Sequence, residues 1–210
     1  MLLVVGAIAL ATAIAATLAK RADDGGGAAA QVTAIEGVEG TQSPFRGSVR
    51  PKAPPRDFSL RDQEGDVVAL RGLRGRIVLL APMYTSCEDA CPLIAQQIRD
   101  VLGDLPESER AQVTALAVSV DPAHDSAESA RRFLLEQRVR GYLDFLVGSR
   151  DELRPVWRAY GFSPQTERIE HNAWVVLIGR DGRQRVGFPI DFLTPEALEH
   201  DVRLLVKERS

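Results

Sequence analysis

The two cysteines of the chain stand four positions apart in Thr85-Ser86-Cys87-Glu88-Asp89-Ala90-Cys91-Pro92. An apolar run, Ile77 to Pro82, precedes them, and a helix-forming run, Leu93 to Arg99, follows. A thiol at the start of a helix sees the positive end of the macrodipole, which favours thiolate, the form that binds metals and attacks disulfides. Proline fits a first helical turn and breaks an interior, so Pro92 marks the helix start, with Cys87 on the loop and Cys91 at the helix edge. The spacing also permits a disulfide, because a tight turn brings two Cα atoms within the roughly 4.4–6.8 Å the bond requires. Two buried, inert thiols are the plain alternative, and the helix-start context argues against them.

The elements around this loop follow from pattern. Asp57 to Leu60 and Val67 to Leu70, joined by Asp62-Gln63-Glu64-Gly65, predict a short hairpin. Ile77 to Ala81, Val113 to Val120 and Ala173 to Ile178 predict three buried strands. Helices are expected from about Pro92 to Leu102, from Ser126 to about Gln137 behind an N-cap, and from Arg150 to Tyr160, where Pro155 threatens a late start or a kink. Asp181-Gly182 turns the third strand into Gln184 to Phe188, and Thr194 caps a last helix from Pro195 to about Lys207. That order predicts an α/β thioredoxin-like fold, a central mixed sheet flanked by helices. Active residues of open α/β sheets gather beyond the strand ends that feed helices, which is where Cys87, Asp121 and Asp125 fall.

Three histidines compete to be a third donor. His200 lies on the last helix among Glu196, Glu199 and Asp201 and reads as a solvated face residue; His124, after Asp121-Pro122, reads as an exposed loop residue. His171 immediately precedes the third buried strand, and in a thioredoxin-like fold the loop before that strand lies against the cysteine loop. Two thiolates and an imidazole meeting there make a soft three-coordinate site, the thiolates favouring Cu(I) and the imidazole suiting Cu(II) as well. Structural zinc wants a fourth ligand, and the sequence offers no obvious one. A purely structural His171 is the alternative.

With 210 residues the chain has length for one full core and appendages, and its net charge of −3 argues against nucleic acid as a partner. Leu2 to Ala19 is uncharged and is followed by Lys20-Arg21. Residues 1–20 are therefore expected to be a signal-anchor or transmembrane segment, with a cleaved signal peptide ending near Ala13-Ile14-Ala15 as the rival. The basic pair after the run points the downstream chain to the cytoplasm, against the chemistry of an extracytoplasmic thiol site. Residues 21–43, with Gly25-Gly26-Gly27 and few large apolar side chains, have the composition of a tether; 44–210 is the expected domain, and Phe45 is expected to pack onto it.

The sequence resembles the SCO/SenC family of membrane-tethered copper chaperones, which serve assembly of the binuclear copper site of cytochrome c oxidase. The resemblance runs from about Phe45 to the C-terminus. It is carried by Phe58 to Gly65, by Tyr84 to Pro92, by Ser119-Val120-Asp121-Pro122-Ala123-His124-Asp125, and by His171 ahead of a strand that leads to Asp181-Gly182. Glu88 stands where the family often has proline, and Ala81-Pro82 replaces its usual aromatic. The resemblance implies that Cys87, Cys91 and His171 hold one copper ion, that Cys87 and Cys91 are also a redox pair, and that the domain lies on the extracytoplasmic side of the cell membrane. It further implies the copper-bearing oxidase subunit as partner, with other copper carriers or thiol reductants. Asp121 and Asp125 are candidates to support the ligands from behind, or merely to cap the next helix.

A thiol–disulfide oxidoreductase acting on cysteines of the oxidase subunit or of other extracytoplasmic proteins is the rival function. The spacing is CxxxC rather than the CxxC of thioredoxins. The third strand lacks the preceding proline that thioredoxins share, and Pro82 to Cys87 is shorter than the matching peroxidase motif. A metal-free binding scaffold fits the Cys, Cys, His set least.

Overall fold

A computed structural model describes residues 43–50, 54–165 and 174–208. The predicted anchor and His171 lie outside the described residues, as does most of the predicted tether. Among the described residues no helix is long and apolar enough to cross a membrane.

Among the described residues eight strands form: β1 Ser48–Val49, β2 Ser59–Arg61, β3 Val67–Ala69, β4 Ile77–Met83, β5 Val113–Ser119, β6 Asp144–Leu146, β7 Trp174–Ile178 and β8 Gln184–Pro189. Six of them make one sheet in the order β1-β8-β7-β4-β5-β6, while β2 and β3 pair as a separate hairpin. β4, β5 and β6 are parallel, and β7, β8 and β1 add antiparallel partners on the other side, so the sheet is mixed. The helices are α1 Ala90–Asp104, α2 Glu107–Arg110, α3 Ala127–Glu136, α4 Arg150–Tyr160 and α5 Pro195–Lys207.

The central strands read as unbroken apolar runs because both sheet faces are covered. Successive side chains alternate between faces, so Ile77, Leu79, Ala81 and Met83 enter one core with residues of α1, α3 and α5. Val78 and Leu80 enter the opposite core, with Leu153, Val156, Trp157 and Tyr160 of α4 and Leu60 of the hairpin. Phe45 packs against the first core, as its apolar character in a polar stretch suggested, with the Arg185 guanidinium 5.8 Å from its ring centroid.

Several boundaries differ from the pattern reading, each for a local reason. α1 begins at Ala90, so Pro92 sits inside its first turn, where no intrahelical N–H is needed. α4 starts at Arg150 despite Pro155, because Ser149 and Glu152 form a reciprocal capping box that closes the first turn. β1 and β6 are only two and three residues long, too short to show a period, and they exist because β8 and β5 offer open edges. Parallel β4 and β5 end at the same sheet edge, where β7, running the other way, begins. That shared edge carries the cysteine loop.

Candidate metal centre

β4 delivers the cysteine loop from a fully buried strand, so its first residues have little freedom. The Val120 N–H bonds the Met83 carbonyl at 3.0 Å, tying the ends of the two strands together. Asp125 then locks the loop itself. One of its carboxylate oxygens accepts from the Thr85 N–H at 2.8 Å and the Thr85 hydroxyl at 2.7 Å, and the other accepts from the Ser119 hydroxyl at 2.6 Å. Charge-assisted bonds of this kind are roughly twice as strong as neutral ones. The loop turns next through a Cys87 N–H to Tyr84 carbonyl bond of 3.2 Å.

Cys87 then acts as a helix cap. Asp89 occupies the N-cap position of α1 but makes no side-chain cap bond. The Cys91 N–H, one of the orphan donors of the first turn, is given instead to Cys87 Sγ at 3.2 Å. Both thiols are free and buried, with 9% and 4% of Cys87 and Cys91 exposed. The Cys91 thiol donates to Cys87, and this is the main cause that brings Cys87 down to about 5 despite its burial; the Cys91 N–H and the Tyr84 hydroxyl add to it. Cys91 is pushed up by the same bond, by burial and by the neighbouring charge. Burial, and then donation to Cys87, raise Tyr84, which keeps it a proton donor. The pair thus holds one proton between two sulfurs, with a thiolate at the loop position. Such a pair suits a soft metal, whose binding would expel the remaining proton, and it suits disulfide exchange equally.

Not every predicted residue joins them. Asp121 uses its carboxylate to hold His124 Nδ1 at 2.8 Å, and the His124 side chain is 74% exposed, as a loop residue. His200 bonds the fully buried Asp201 at 2.9 Å on α5 and takes no part. Among the described residues no group of three or more His, Cys, Asp and Glu side chains is arranged to hold a metal ion. The segment containing His171 is flanked by two fixed points. Gln165 donates its N–H to the Val120 carbonyl at 2.8 Å, and Trp174 opens β7 with the Arg50 guanidinium 5.3 Å from its ring centroid. Tyr84, Thr85 and Ser119 take parts at the site that their residue types alone do not announce. Only their position at strand ends beside Cys87 and Asp125 hinted at them.

Comparison with known proteins agrees with this architecture. Residues 48–207 match the family described as SCO1/SenC. The SCO1 protein homolog of Bacillus subtilis is 28% identical over 133 residues, covering 60% of this chain and 68% of that protein. Among solved structures, Bradyrhizobium japonicum ScoI with copper bound is 28% identical, with a TM-score of 0.60 over 73% of this chain and 99% of that one. Apo Sco1 of Thermus thermophilus has the same fold, with 24% identity and a TM-score of 0.65 over 77% of this chain and 96% of its own.

Proposed function

The chain belongs to the SCO1/SenC family, and we propose that it is a copper-binding protein of cytochrome c oxidase assembly that carries copper to the oxidase's binuclear copper site. The observation that carries this reading is the buried Cys87–Cys91 pair at the start of α1, with the Cys91 N–H given to Cys87 Sγ at 3.2 Å. The 28% identical relative that holds copper supports it from outside the chain. Cys87 and Cys91 are the thiolate ligands and His171 is the third. His171 lies three residues before Trp174, which opens β7 at the sheet edge where β4 ends in the cysteine loop, and that order along the chain supports its role. Copper is cargo here. It enters on reduced cysteines and leaves by ligand exchange with the apo partner, while in the metal-free state oxidation of Cys87 and Cys91 to a disulfide by exchange with an external disulfide, which takes the two electrons and leaves as a dithiol, blocks loading. The domain 44–210 works outside the cytoplasm, tethered through 21–43 to an anchor at 1–20, and Asp125 supports the ligand loop through Thr85.

Anaerobic copper titration of the reduced protein tests the reading. One copper per chain is expected, with sulfur-to-copper charge-transfer bands that vanish in Cys87→Ser. His171→Ala weakens Cu(II) binding more than Cu(I), because two thiolates still hold Cu(I). No retained copper refutes the function. Equal loss of both oxidation states refutes the role of His171.

The unequal acidities of the two thiols favour one second reading, a thiol–disulfide reductant acting on cysteines of the oxidase subunit. That activity survives His171→Ala and is lost with either cysteine.

A further inference from the structure

The outer face of α4 carries a ridge of arginines that the thiol site does not use. Arg150, Arg154 and Arg158 recur every four residues, lie along one face and are all exposed. Across a shallow groove Arg56 adds a fourth exposed guanidinium. On the other flank the same three arginines line a second depression with Phe162, Ser163 and Pro164. Two carboxylates face the first groove and both are engaged, Asp151 with Arg154 at 2.5 Å and Asp57 with Arg74 at 2.7 Å. Arg56, Arg150 and Arg158 have no ion-pair partner among the described residues.

The helix itself does not need this arrangement. Like charges four apart repel along a helix, and Arg150 in the first turn opposes the positive end of the macrodipole. α4 is held instead by its capping box and by buried Leu153, Val156, Trp157 and Tyr160. The ridge is also well placed. Its second depression is lined by Pro164, and the next residue, Gln165, donates its N–H to the Val120 carbonyl at the edge that carries the cysteine loop.

We propose that the α4 ridge is a docking surface for an acidic face of the protein that receives copper, its guanidinium forks matching partner carboxylates and steering the encounter toward the thiol edge. This rests on the delivery function above. A lipid surface is the poorer occupant, because interfacial binding helices set large apolar side chains beside their cations. Among the described residues the exposed large apolar side chains are Val49, Val67, Leu93, Leu135 and Phe192, and none lies on α4.

The test is stopped-flow association of the full, copper-loaded chain with the apo copper-bearing domain of the oxidase subunit, across ionic strength. R150E/R154E/R158E is compared with the milder R150Q/R158Q, each checked for unchanged melting and copper stoichiometry. Charge reversal is expected to slow association about tenfold or more at low ionic strength and to flatten its salt dependence, with the milder variant between. Unchanged rates and salt dependence overturn the proposal, as does failure of the unaltered chain to associate. Loss of binding to phosphatidylglycerol vesicles with partner association intact assigns the ridge to lipid and also overturns it. Copper transfer is read separately. Association without transfer refutes delivery, and slowing by charge reversal in that case still supports the ridge.

Discussion

Cys87 should titrate far below an ordinary thiol, and the rate at neutral pH is the wrong place to look for it. With a value of about 5, Cys87 is almost wholly thiolate at pH 7, whereas a free thiol near 8.5 is only about 3% ionised, a gain of about 30-fold. The intrinsic nucleophilicity of a thiolate falls with its basicity, and a Brønsted slope of roughly 0.45 over about 3.5 units lowers it by about 40-fold. The two effects cancel, so Cys87 and a free thiol attack a small disulfide at similar rates at pH 7. The pH profile separates them. Attack by Cys87 is expected to stay level from pH 9 to 6 and to halve near about 5. Cys91→Ala should move the midpoint up most, because the Cys91 thiol is the first cause of the shift, and Tyr84→Phe should move it up less. A midpoint above 7 in the unaltered protein, or one that ignores Cys91→Ala, would refute the shared-proton pair. The sign of the linked stability follows. A depressed Cys87 contributes stability in full above about 8.5, and that contribution is lost as pH falls through about 5.

Two substitutions test how the site edge is held. Asp125→Ala removes the acceptor of the Thr85 N–H, the Thr85 hydroxyl and the Ser119 hydroxyl, at an expected cost of about 2–3 kcal/mol. For a domain of this size that lowers Tm by roughly 4–12 °C, and it should loosen the cysteine loop enough to weaken copper binding; a shift under 1 °C in a melting scan would remove the clamp. Asp201→Ala strands the N–H groups of Arg46 and Gly47, which both end on this fully buried carboxylate. Amide hydrogen exchange at those two positions should become fast while that of β4 and β5 changes little, and retained protection would contradict the assignment.

The strand–loop–helix order was legible because each part is a local pattern. Ile77 to Ala81 has no polar residue to expose, Ser126 and Thr194 cap the helices that follow them, and Asp181-Gly182 turns β7 into β8. The cysteine spacing with its flanking elements was enough to predict a thiol pair at a helix start. The strands β1 and β6 were not legible, since two or three residues carry no periodicity and pair only where a longer strand leaves an edge free.

The sequence by itself determined that a cysteine pair stands at the start of a helix and which elements present it, because apolar period, caps and cysteine spacing act over a few residues. Tertiary structure alone decided how the two sulfurs divide one proton, and that Asp125 reaches Thr85 across 40 positions while Asp121 turns to His124. It also decided that Asp201 gathers a segment 154 residues away. Those choices belong to buried and half-buried polar groups, which must find partners where water is excluded. Which partner is nearest is settled by the packing of the sheet and helices, not by the order of residues along the chain.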